Sequence, residues 1–156
     1  MTALLAGVAT LAFIVVGGVV GARLLLLARR TRQLPELAVG LSLFLLSAVS
    51  YPASLAVIAG GVPLGPSRAL ILLAGVASSV AWAAVFVFTW RSFRPGSPAA
   101  RAVALGAAGA ILALGALNVL RVLRAEDVAA LLRFGVATQA IQVLALGAYA
   151  WTAVEG

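Results

Sequence analysis

The chain contains no cysteine, no histidine and no lysine. Without cysteine no disulfide can form. Without cysteine and histidine, self-contained zinc, haem and iron–sulfur sites are excluded. Without lysine there is no retinal or pyridoxal Schiff base. Without histidine there is no Ser-His-Asp triad. Charge is scarce as well: 10% of the 156 residues are charged and four are acidic, where a soluble domain has about 25% charged residues. With 64% hydrophobic residues, a water-soluble fold would lack the polar groups to cover its surface. A bilayer removes that demand, because its interior is as apolar as leucine.

The charge that is present is mostly arginine, which supplies all 11 basic residues and a net charge of +7. A basic chain suggests nucleic acid. Here the arginines sit in short brackets between apolar runs, the pattern of loops retained in the cytoplasm. No nucleic-acid partner is therefore expected. A lysine-free, Arg/Ala/Gly/Leu-rich composition is also what a GC-rich genome produces.

The bracket LLLLARRTRQLPELAV, residues 24–39, organises the rest. It holds Arg29, Arg30 and Arg32 and reads as a tight hairpin between two apolar runs. A spanning helix needs about 20 apolar residues. The first run, 3–27, supplies that length before its cations, so it reads as an uncleaved span and not a signal peptide. Its Gly17 and Gly21 form a GxxxG pair suited to close packing. Pro35 and Glu36 suit the first turn of a second helix over 36–59. On that helix Ser47, Ser50, Tyr51 and Ser54 share one face. Pro52 predicts a kink that frees the carbonyl of Ala48.

The segment GGVPLGPS, 60–67, is a turn, and Ser67 is a candidate N-cap for a third helix over 68–90. Its glycines lack the lysine and the preceding strand of a phosphate loop. Trp82, Phe86 and Trp90 recur at helical spacing, and Trp90 and Phe93 beside Arg91 and Arg94 read as an interfacial belt. RSFRPGSPAAR, 91–101, is a second basic loop. A fourth helix follows over 99–120, with Gly106, Gly109, Ala113 and Ala116 as its expected packing face. Arg121, Arg124, Glu126 and Asp127 mark a polar turn, and Asp127 is placed to cap a fifth helix over 128–153.

The expected fold is therefore all-α, an integral membrane bundle of five transmembrane helices forming a single domain. The first and third loops share one side, with Arg23, Arg29, Arg30, Arg32, Arg91, Arg94 and Arg101. The other side has Arg68, Arg121, Arg124 and Arg133. That bias predicts an N-terminus outside and a C-terminus in the cytoplasm of a cell inner membrane.

On this map Ser50, Tyr51, Ser54, Asn118, Arg121, Gln139 and Gln142 fall in the outer half, above a floor of Ser78 and Ser79. Two readings stand side by side. The groups pair with one another to fix packing, or they wall an outward-facing polar pocket made of Ser50, Tyr51, Ser54, Ser78, Asn118, Arg121, Gln139 and Gln142.

RTRQLPEL, the SYP of the second run and FTWRSFRPGS resemble segments of a loosely defined group of uncharacterised bacterial membrane proteins. The resemblance implies a multi-pass bundle of about seven helices of about 20 residues each, and it implies no activity. No cofactor, metal or catalytic residue is expected. Three functions remain: an accessory subunit of a larger or oligomeric membrane assembly, a receptor-like sensory bundle, or a transporter or channel protomer with an arginine-lined path. An enzyme is not expected, because serine, tyrosine and arginine alone give no nucleophile–base pair. The partners expected are the lipid bilayer and other membrane subunits.

Overall fold

The computed structural model describes residues 2–133 and 135–155 and contains no strand among them. Helix α1 spans Thr2–Thr31. The second rod is three segments end to end: α2 (Leu34–Phe44), a π-helical turn (Leu45–Ser50) and α3 (Tyr51–Ile58). Then come α4 (Leu64–Phe93) and α5 (Pro98–Leu123). The fifth rod is α6 (Val128–Leu132) followed by α7 (Val136–Glu155). Among the described residues five rods are long and apolar enough to cross a membrane.

The rods end where local chemistry ends them. α1 continues past the expected boundary through Arg29 and Arg30, and Arg32 stops it in the left-handed region at φ 56°. Pro35 lies in the first turn of α2, as its missing N–H favours. Across this hairpin the Thr31 hydroxyl donates to the Glu36 carboxylate at 2.5 Å. Helix α4 starts a turn earlier than the expected residue 68, with Pro63 at the cap position. Ser67 is not the N-cap. It is fully buried and donates to the Val62 carbonyl at 3.0 Å. The early start is possible because Pro66 falls in the first turn, where a helix needs no N–H. Gly60 and Gly61, at φ 85° and 78°, turn the chain into it. Ser97 caps α5 by accepting from Ala100 N at 3.2 Å. Asp127 caps α6 as its position predicted, accepting from Ala130 N at 2.5 Å. In the fifth rod α6 ends at Leu132, Arg133 is extended at ψ 127°, and α7 begins at Val136, so the described residues do not form the continuous 128–153 helix expected.

Helix α4 is the central post and touches the second, fourth and fifth rods, whereas α1 packs on α2 and the π turn. Its buried residues explain this. Ala74, Ala77, Ser79, Ala81 and Ala83 are small enough to admit neighbours closely on several sides. Toward the α4 C-terminus the space widens and is filled by Phe86 and Trp90 against Ala104, Ile111, Ile141 and Ala148. Trp90 is a core residue, which corrects its place in the expected interfacial belt, and Phe86 shares that core. At the other end Val122, Ala125 and Leu131 close the bundle with Ile71 and Leu72.

The expected small-residue faces part ways. Gly17 and Gly21 do serve packing. A Cβ on Gly21 would lie 2.6 Å from the backbone nitrogen of Phe44, so only glycine admits the second rod at this distance. On α5, Gly106, Gly109, Ala113 and Ala116 instead face outward and are exposed. The buried face is Ala104, Ala108, Ile111 and Gly115. Ile111 fills the gap beside the aromatics, and Gly115 lies directly against Ser79. Both faces of α5 are rich in small residues, and the side that carries Ile111 and Val122 turns inward.

Candidate functional site

Polar contacts inside the bundle gather at three levels. The richest is the break in the fifth rod. A helix leaves its last carbonyls without intrahelical partners, and α6 is too short to bury them by itself. Arg121, near the end of α5, supplies the donors. It donates to the Arg133 carbonyl and, at 3.4 Å, to the Leu131 carbonyl. Its Nε donates to Asn118 Oδ1 at 3.1 Å. Thr138, in the first turn of α7, donates to the same oxygen at 3.3 Å. Gly135 gives the guanidinium room, since a Cβ there would meet Arg121 Cδ at 3.0 Å. One rod away, Arg68 of α4 donates to the Ala125 carbonyl at 2.6 Å. Arginine suits this task because its planar fork carries five donors and stays charged.

The second level is the π turn. A π turn holds one more residue per hydrogen-bonded ring than an α-helix, and here it ends at Ser50, two residues before Pro52. Tyr51 N–H bonds back to the Leu46 carbonyl across the turn. The geometry answers the expected kink: the irregularity that accommodates Pro52 lies in the turn before it. Ser47 and Ser50 are buried. Ser47 donates to the Leu43 carbonyl at 2.6 Å, and Ser50 shares a 2.6 Å hydrogen bond with Ser78 of α4. Tyr51 is exposed and meets Phe13 of α1 edge to face at 5.1 Å, while Ser54 is half-buried.

The third level escaped sequence reasoning. Thr89 of α4 is fully buried and shares a 2.7 Å hydrogen bond with Thr152 of α7. Each hydroxyl carries one proton, so one threonine donates to the other while its partner donates to its own helix, at the carbonyl of Val85 (3.0 Å) or of Ala148 (2.8 Å). The signal was Thr89 on one apolar rod and Thr138 and Thr152 on another, which singles out no pair. Trp82 lies edge to face with Tyr149 at 5.1 Å, and Phe86 meets Trp151 at 6.2 Å. These aromatics fasten α4 to α7.

Of the residues expected at one polar level, Ser50 and Ser78 come together, and so do Asn118 and Arg121. Gln139 and Gln142 do not join them: both lie on the exposed face of α7. The inward positions of that helix are Ile141, Ala145 and Ala148, so the apolar periodicity of α7 sets its rotation and carries the glutamines outward. Two open grooves lie between rods. One, of about 470 Å³, runs between α4 and α5 and includes Val76, Val80, Leu112 and Ala116. The other, of about 380 Å³, lies between α1 and α2 beside Phe13 and Leu43. Neither is lined by the residues of the expected polar pocket.

The chemistry offered is therefore hydrogen bonding between helices, by hydroxyl, amide and guanidinium groups. Among the described residues no cluster of acids that could hold a metal is formed. No family model, no curated protein and no solved structure matches the chain.

Proposed function

We propose that the chain is a membrane-embedded helical subunit of a larger or oligomeric assembly, in a cell inner membrane, with its N-terminus outside. The observation that carries this reading is the outward face of α5. Gly106, Gly109, Ala110, Ala113 and Ala116 are all exposed, and open space surrounds both glycines. Beside this face runs the α4–α5 groove, which shares Ala116 with it. Lipid chains pack equally well on leucine, whereas close helix contact in a bilayer needs small residues. A groove flanked by such a face fits a helix from another subunit.

The arginines support the orientation. At the end that holds the α1–α2 and α4–α5 connections, Arg23, Arg29, Arg30, Arg32, Arg91, Arg94 and Arg101 are all exposed. At the opposite end Arg68 and Arg121 are half-buried and donate to carbonyls, which leaves Arg124 and Arg133 exposed. The exposed cations are thus more one-sided than the sequence count. A receptor-like reading gains less, because Gln139 and Gln142 face away from the bundle.

The test is sizing by native mass spectrometry after gentle extraction from the native membrane. The expected result is a complex of more than one chain. Gly109→Leu should dissociate it and leave the thermal stability of the single chain unchanged. A lone chain in every mild detergent and in native-lipid discs would sink the reading.

A further inference from the structure

Two arginines converge on one buried ring at the α4–α5 connection. The guanidinium carbon of Arg91 lies 4.7 Å from the Trp90 ring centre, and that of Arg101 lies 5.8 Å away. Trp90 is 8% exposed, and its indole N–H has no acceptor. Both arginines are exposed, and among the described side chains neither meets a carboxylate. Glu36 is engaged by Thr31, Glu126 and Asp127 lie at the opposite end of the bundle, and the fourth acid, Glu155, ends α7. Two like charges beside one ring repel each other. Arg101 carries a second mismatch: it stands at the start of α5, where the helix dipole favours an anion. Two cations therefore meet beside one ring, and no described carboxylate neutralises them.

We propose that Arg91 and Arg101 hold the phosphate of an anionic phospholipid, with Trp90 as the fixed floor of the site. A guanidinium matches a phosphate with paired N–H donors. A lipid is the fitting source of that phosphate. Val103 and Leu105 of α5 are exposed and continue away from the charges along the rod, where acyl chains would lie. The site rests on the membrane reading given above.

The experiment uses the full chain with Trp82→Phe and Trp151→Phe, so that Trp90 is the sole fluorophore, in lipid nanodiscs of phosphatidylcholine. Brominated phosphatidylglycerol or brominated phosphatidylcholine is added at equal mole fraction. The expected result is stronger quenching of Trp90 by the anionic lipid. Arg91→Gln and Arg101→Gln should each lower that preference about five-fold. Arg91→Lys with Arg101→Lys should retain part of it and covers the case in which the glutamine variants fail to fold. Arg29→Gln with Arg30→Gln, at the same end of the bundle, should leave it unchanged. Equal quenching by the two lipids in the parent chain overturns the proposal. So does displacement of the anionic lipid by inorganic phosphate, which would make the site one for free anions. A chain that enters discs of neither composition overturns the membrane reading itself, a result distinct from entry without preference.

Discussion

At the scale of single residues, the distance between backbones decides what a side chain is worth. A Cβ on Gly21 would sit 2.6 Å from Phe44 N, whereas one on Gly106 meets nothing within 4 Å. Gly21→Ala should therefore cost about 1–3 kcal/mol, the usual penalty of overpacking. Gly106→Ala should stay within about 0.5 kcal/mol, as surface changes do. Thermal unfolding of both variants in one detergent checks this. Equal gains at both sites would mean that helix propensity, and not approach, governs them. The pair Gly17 and Gly21 was legible because GxxxG names a close contact and α1 has one neighbour to make it with. Gly106 and Gly109 show the limit of that signal. Small residues cover both sides of α5, and the buried side is the one that also carries Ile111 and Val122. The serine face of the second rod was half legible. Helical spacing grouped Ser47, Ser50, Tyr51 and Ser54, but the π turn alters the rotation between them, so Ser47 and Ser50 are buried and Tyr51 is exposed.

At the scale of elements, the fifth rod shows how a break is stabilised. Isolated helices of five residues do not form by propensity, so α6 depends on its two ends. Asp127 satisfies the N-terminal end and Arg121 the C-terminal end. Arg121→Met keeps the aliphatic bulk and removes every donor at once. The expected loss is about 1.5–3 kcal/mol, the range for hydrogen bonds to a charged group. It should appear as faster amide hydrogen exchange confined to residues 128–138, with α4 unchanged. Exchange that stays slow there would show that packing of Leu131, not the arginine, holds α6. Asp127 as a cap was readable from residue type and place. The break was not, because the interruption near Gly135 contains no proline and glycine is common in apolar helices. Arg121 was marked as polar, but the carbonyls it serves exist only once the rod is broken.

For the whole molecule, orientation is the property on which the docking face and the lipid site both depend. A five-rod chain puts the α1–α2 and α4–α5 connections on one side and residues 59–63 on the other. The number of rods was legible because each apolar run ends in proline, glycine or charge; their arrangement around α4 was not, because small residues occur in every run. The absence of cysteine makes orientation directly measurable with single cysteines. Gln33→Cys and Gly96→Cys probe the arginine-rich end, and Ala59→Cys probes the other; all three positions are exposed, and none removes a charge. On intact cells an impermeant maleimide should label Ala59→Cys alone, and permeabilisation should expose the other two. The charge argument can then be pushed further. Arg29→Gln, Arg30→Gln and Arg32→Gln together leave Arg23, Arg91, Arg94 and Arg101 against Arg124 and Arg133. Because Arg68 and Arg121 are held by carbonyls, the remaining bias still favours the same orientation. The triple variant should therefore keep the labelling pattern of its parent. A mixed pattern would show that Arg68 and Arg121 count as loop charges while the chain inserts, before the bundle has closed around them.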